Sequence, residues 1–206
     1  MRAKELRDLV ISALLLALAF GIAFSGGYRA FSQPGNLLIR ILMALIGISL
    51  GFILHELGHR FVARRFNCFA EYVMWPTGLM IALAFSFFGF VFAAPGAVMI
   101  NPRVDEWGRS TLTRKKIGLI SITGPALNLG LAVVFALLWV VYPTSPGSLI
   151  AQLFLLGALV NTWLAIFNLI PFGPLDGAKI FRWHKGVWTT AVAVGIGLFI
   201  IVNFVI

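Results

Sequence analysis

The sequence predicts an all-α polytopic membrane protein, a bundle of five to six transmembrane helices with a re-entrant or β-hairpin segment at about residues 69–100. Three observations lead there. Of the 206 residues, 60% are hydrophobic and 11% charged, whereas soluble domains average nearer half apolar and about a quarter charged. Apolar stretches recur from one end of the chain to the other, at or near the roughly 20 residues a helix needs to cross a bilayer. The basic residues sit in short clusters beside those stretches, which is topogenic placement. The whole reads as a single membrane-embedded domain, 1–206, with its core at about 37–183.

The spans follow in order. The first covers about 9–24 and closes at Ser25-Gly26-Gly27. Arg2, Lys4 and Arg7 precede it as they would a signal peptide, but no small-residue cleavage site follows, so a retained helix is expected. The second covers about 37–66, the third 117–141, the fourth 149–170 and the last 187–206. A turn at 143–147, a polar loop at 101–116 and a basic loop at 179–185 separate the later ones. The single cysteine, Cys68, excludes an internal disulfide and a cysteine-based zinc site. The net charge of +9 is accounted for by the topogenic clusters, so no nucleic-acid partner is expected.

Orientation follows from where lysine and arginine fall. With the N-terminus cytoplasmic, fourteen of the sixteen lie on one side, all but Arg29 and Arg40. Residues 67–100 then have basic clusters on both flanks and must enter and leave on the same side. A re-entrant hairpin or membrane-dipping strands satisfy this where other protein buries the backbone. A single full span there would put the five basic residues of loop 101–116 outside.

The second span carries "GFILHELGHR", residues 51–60. Polar groups in hydrocarbon-compatible segments are costly and usually mark a working site. His55 and His59 are four apart, so a helix presents both imidazoles to one ion with Glu56 beside them. Two histidines and one carboxylate leave a fourth zinc position open for water, whose pKa the metal lowers and whose proton Glu56 can take. For the third ligand, Glu5 and Asp8 lie among N-terminal basic residues and Asp105-Glu106 belong to the polar loop. His184 sits between Arg182 and Lys185 as a solvated side chain, and Glu71 is a weaker candidate. Asp176 remains, in "NLIPFGPLDGAKI". It lies three residues before Lys179, as His55 lies five before Arg60, so both fall near the same end of their spans.

HExxH in one span, followed by N-x₂-P-x₄-D-G on another, resembles the site-2 protease family of intramembrane zinc metalloproteases over roughly 40–183. The resemblance implies His55, His59 and Asp176 as ligands of one zinc and Glu56 as the catalytic base. It also implies Asn168 as the group that holds the scissile carbonyl or its oxyanion. Independently, a side-chain amide can donate to developing negative charge, though an interhelical hydrogen bond would also explain Asn168. Pro171 and Pro174 break the fourth span before Asp176 and can let water in, while Gly173 and Gly177 permit close approach. In "GPALN", Gly124, Pro125 and Asn128 read as packing, with support of the ligands the alternative for Asn128. Gly47 and Gly51 form a GxxxG suited to close helix contact. The six tryptophans read as interfacial anchors.

The function expected is a zinc endopeptidase acting on a transmembrane protein substrate, embedded in the cell membrane with its site near the cytoplasmic side. A catalytically silent scaffold would need the three ligands but not Glu56. A metal or proton transporter would spread polar groups along a path through the bilayer rather than at one depth. Many relatives carry soluble PDZ or CBS domains, for which these residues leave no room.

Overall fold

The computed structural model describes residues 1–92, 94–104, 110–142, 145 and 147–204. Along the chain these form α1 (Ala3–Phe24), a 3₁₀ turn (Gly27–Ser32), α2 (Pro34–Arg65), β1 (Phe69–Met74) and α3 (Pro76–Ser86). Then come β2 (Gly96–Asn101), α4 (Arg114–Val141), α5 (Leu149–Asn168), α6 (Asp176–Trp183) and α7 (Lys185–Phe204). Five of them, α1, α2, α4, α5 and α7, are long and apolar enough to cross a membrane. The protein is an all-α polytopic membrane protein whose strands, among the described residues, are confined to one pair.

Two expectations change. The basic loop expected at 179–185 is largely helical, as α6 with Lys185 opening α7. Asp176 in the first turn and Arg182 in the last complement the helix dipole. The apolar segment after β1 is a helix of 11 residues. At 1.5 Å per residue it reaches about 17 Å, far short of a roughly 30 Å hydrocarbon core. Pro143, Thr144 and Pro146 of the expected turn, and Asp105, Glu106 and Arg109 of the polar loop, lie outside the described residues.

The chain forms two compact units, residues 1–53 with 72–97 and residues 54–71 with 98–206. In the first unit α2 shows the pattern of a helix solvated by lipid. Leu38, Leu42, Ile46 and Leu50, spaced by four, are exposed, while Ala44, Ile48 and Phe52 are buried. Ser49 Oγ donates to the Ala13 carbonyl at 3.1 Å and ties α2 to α1. α1 also buries Glu5, Asp8 and Ser12, three polar residues at helical spacing. Glu5 accepts a hydrogen bond from the Tyr72 N–H at 3.2 Å. The Tyr72 hydroxyl lies 2.9 Å from both the Ser12 hydroxyl and the Pro95 carbonyl. Glu5 and Asp8, which the sequence places among N-terminal basic residues, are therefore buried, Glu5 as an anchor for β1.

β1 pairs with β2. The Trp75 N–H donates to the Pro95 carbonyl at 2.9 Å, so the strands run antiparallel and the segment's two ends return side by side. By alternation from that bond, Val73, Glu71 and Phe69 face β2 and Tyr72 and Ala70 face outward. Both outward residues are engaged, because Arg64 donates from Nε and Nη2 to the Ala70 carbonyl at 3.3 and 3.2 Å. Side chains thus seal the outer edge of β1, where an exposed edge would invite stray pairing.

In the second unit α4 packs against α5 and α6, and α5 against α7. Phe135, Ala136, Ala158 and Val202 form one apolar cluster and Ala63, Cys68, Ala70 and Ile120 another. Thr113 and Ser148 cap α4 and α5. Residues 169–175, which contain Pro171 and Pro174, separate α5 from α6. Trp188 Nε1 fastens this break by donating to the Leu169 carbonyl at 2.7 Å. A side chain at Gly177 would collide with that same carbonyl, so glycine lets α6 start close against α5. Trp183 lies against Gly118 of α4, so at least two tryptophans fix α6 within the protein.

The anchor at Tyr72 has a measurable consequence. Tyr72→Phe keeps the ring's edge contact with Phe52, at 5.6 Å between centroids, but strips the hydroxyl from buried Ser12 and Pro95. Thermal unfolding in detergent, followed by circular dichroism, should show a loss of about 1–3 kcal/mol. Unchanged stability would mean the hydroxyl anchors nothing.

Candidate metal centre

The site is built on the second half of α2. His55 and His59 lie one turn apart, edge to face, with ring centroids 4.6 Å apart. Asp176, the first residue of α6, faces them: its Oδ2 lies 2.9 Å from His59 Nε2 and 3.4 Å from His55 Nε2. All three side chains are buried. Their ligand atoms lie within 4.8 Å of one another, forming a group that could hold a metal ion. The break at 169–175 makes this possible, since it lets α6 restart with Asp176 aimed at α2.

Each ligand is oriented by a partner on its far side. His59 Nδ1 lies 2.8 Å from the Ile120 carbonyl of α4. A carbonyl only accepts, so Nδ1 carries a proton, and in the neutral imidazole Nε2 is the nitrogen left to bind a metal. His55 Nδ1 lies 2.6 Å from Asn128 Oδ1, also on α4. Asp176 Oδ1 accepts from Lys179 Nζ at 3.2 Å, one turn along α6. Burial opposes the Asp176 charge, yet His59 and His55 hold its carboxyl well below the usual carboxylate range.

Gly124 of α4 completes the cradle. A β-carbon there would stand 2.5 Å from both His55 Nε2 and His59 Nε2, where the ligand atoms converge. Glu56 is buried, and its Oε2 has no hydrogen-bond partner. The Val98 backbone N–H of β2 approaches the same carboxylate.

These residues fit a zinc ion. Two imidazole nitrogens, each a ligand in its neutral form, and one carboxylate oxygen are a catalytic zinc donor set. The 2.9 and 3.4 Å separations bracket the roughly 3.3 Å edge of a tetrahedron with bonds near 2.0–2.1 Å. An unpartnered carboxylate oxygen beside that group is chemically ready to accept a proton.

The structure brings His55, His59 and Asp176 together. Asn168 ends α5 half-buried, and its Nδ2 donates to the Leu164 carbonyl of its own helix at 2.9 Å rather than across to another. Glu71 stays outside the metal-ligand group. His184 is exposed and accepts from the Val187 N–H, which caps α7. Asn128, read first as packing, instead holds His55. Lys179 and Asn161 were missed. An asparagine in the middle of the apolar run 149–170 was the available signal for Asn161.

A buried group that could hold a metal ion, carried by the membrane-type helix α2 and the short helix α6, defines a polytopic membrane protein with a candidate metal centre. The comparisons narrow this. The chain is 36% identical over 186 residues, 90% of its own length and 87% of the relative's, to a Methanocaldococcus jannaschii protein named "Putative zinc metalloprotease MJ0611". It is 31% identical over 131 residues to the Mycobacterium tuberculosis protein named "Putative zinc metalloprotease Rip3", covering 62% of this chain and 27% of that one. No protein-family profile and no solved structure matches the chain. The chain belongs to the site-2 protease family of zinc metalloproteases.

Gly124→Ala should place a methyl group against both Nε2 atoms. The variant should fold but bind zinc about 10–100-fold more weakly, the range seen when ligand support is disturbed. Titration of purified protein against a zinc-competing chromophoric chelator checks it, and wild-type affinity would show that the cradle has slack.

Proposed function

We propose that the chain is an intramembrane zinc endopeptidase that hydrolyses peptide bonds of transmembrane protein substrates. The observation that carries the reading is the convergence of His55, His59 and Asp176 beside a buried carboxylate, Glu56, that is not one of the three. One zinc per chain would be held by His55 Nε2, His59 Nε2 and Asp176 Oδ2. Bound there, it supplies Lewis-acid polarisation of the scissile carbonyl and makes water more acidic.

Glu56 is the general base. Its Oε2 accepts a proton as water oxygen attacks the carbonyl carbon, and returns it to the amide nitrogen as the C–N bond breaks. Asn168 donates from Nδ2 to the oxyanion after releasing the Leu164 carbonyl. Helical substrates shield their peptide bonds, so a segment must unwind before attack. The side of β2 that carries the Val98 N–H offers the unwound segment backbone pairing next to Glu56.

Glu56→Gln tests the assignment together with Asp176→Ala. The glutamine variant should keep about one zinc per chain while turnover of a membrane substrate falls about 10²–10⁴-fold. The alanine variant should lose most of its zinc. Near-normal turnover by the first, or equal zinc content in the second, would remove the proposed roles.

The charge distribution supports a cell-membrane location with the N-terminus cytoplasmic and the site near that face. The antiparallel return of β1 and β2 supports re-entrance of the segment between α2 and α4. Single cysteines at Ser110 and Ser148, in a Cys68→Ser background, report on this when intact cells meet a membrane-impermeant thiol reagent. Labelling at 148 and not at 110 is expected, and the reverse would overturn the orientation.

A further inference from the structure

We propose that Asn161 of α5 is a positioning residue of the metal centre, acting through Asn128 to set which nitrogen of His55 is free to bind metal. The inference rests on the zinc-site reading above. Three side chains and one backbone carbonyl form an unbroken chain of hydrogen bonds. His55 Nδ1 meets Asn128 Oδ1 at 2.6 Å, Asn128 Nδ2 donates to Asn161 Oδ1 at 3.0 Å, and Asn161 Nδ2 donates to the Gly157 carbonyl at 2.9 Å. Both asparagines are 0% exposed, so no water competes for their amides.

The chain has a direction, and its far end helps to fix it. A side-chain amide offers donors on one side and an acceptor on the other, and rotation by half a turn exchanges them. If Asn128 turned, its NH₂ would face His55 Nδ1, which would then have to accept. The proton would move to Nε2, the atom that must be bare to bind metal. What opposes that rotation is Asn161 Oδ1, an acceptor that would then face another acceptor. Asn161 is itself oriented because the Gly157 carbonyl can only accept. The polarity of one backbone carbonyl on α5 is thus passed through α4 to the imidazole on α2. His59 needs no such relay, since the Ile120 carbonyl contacts it directly.

The relay predicts which substitutions matter by their hydrogen-bonding sense rather than their size. Asn161→Ala and the volume-retaining Asn161→Leu remove the acceptor and free Asn128 to turn. Asn161→Asp keeps an acceptor toward Asn128, whether charged or protonated. Zinc dissociation constants for the purified full chain, by competition with a chromophoric chelator, should rise about 10–100-fold in the Ala and Leu variants. The Asp variant should stay within about threefold of wild type. A residue serving only to pack would lower thermal stability without this split between Asp and Ala or Leu. Wild-type affinity in a folded Ala or Leu variant overturns the proposal. So does weak binding by a folded Asp variant, which is informative even if the other two fail to fold. Absence of zinc binding by wild type would instead sink the metal-site reading itself.

Discussion

A polar atom buried in an apolar helix bundle has no solvent to fall back on, and the second unit of this protein is organised around that constraint. An unsatisfied buried donor or acceptor costs about 1–3 kcal/mol. Two histidines and an aspartate bring several such atoms to one place, and each far-side atom is answered. The Ile120 carbonyl takes His59, Asn128 takes His55 and Lys179 takes the second oxygen of Asp176. Of the buried polar side chains on α4 and α5, Asn128 and Asn161 form the chain that reaches His55. Beside the ligands, one oxygen of Glu56 has no hydrogen-bond partner, and its free lone pair has a chemical use.

The same constraint shapes the backbone. Helices satisfy their own amides, so most of the chain is helical. The sheet is one exception, and its outward edge is handled with the economy seen at the metal centre. Arg64 covers a carbonyl and Glu5 covers an amide. Residues 169–175 are another, where the indole of Trp188 covers the Leu169 carbonyl. Both breaks in regularity do local jobs: one returns the chain to its starting point and the other delivers Asp176.

Much of this was legible in the sequence because the signals were local or chemically rare. HExxH at helical spacing fixes two ligands on one face, and the short inventory of carboxylates left few partners for them. Apolar runs gave the five spans to within a few residues, apart from α1, whose polar first turn hid its start at Ala3. What was not legible depends on which helix lies beside which. Asn128 could be read as packing or as support of the ligands, since nothing in its own neighbourhood says that His55 lies 2.6 Å away. Asn161 makes sense only after Asn128 does. Glu5 was set aside because its sequence neighbours are basic, yet its helix face turns inward toward Tyr72. Helix α6 was hidden because eight residues with three charges carry no apolar signature, and its helicity depends on the packing of Trp183 and Gly177.

The ion pair between Lys179 and Asp176 bears on denticity. A free carboxylate can close both oxygens onto one cation and fill two positions at once. With Oδ1 pledged to an ammonium group, Asp176 offers its other oxygen alone. The protein would then offer three donor atoms, and a tetrahedral ion held by them would keep a vacant corner. One lysine, a single turn along α6, would hold that corner open by keeping the aspartate from taking a second place.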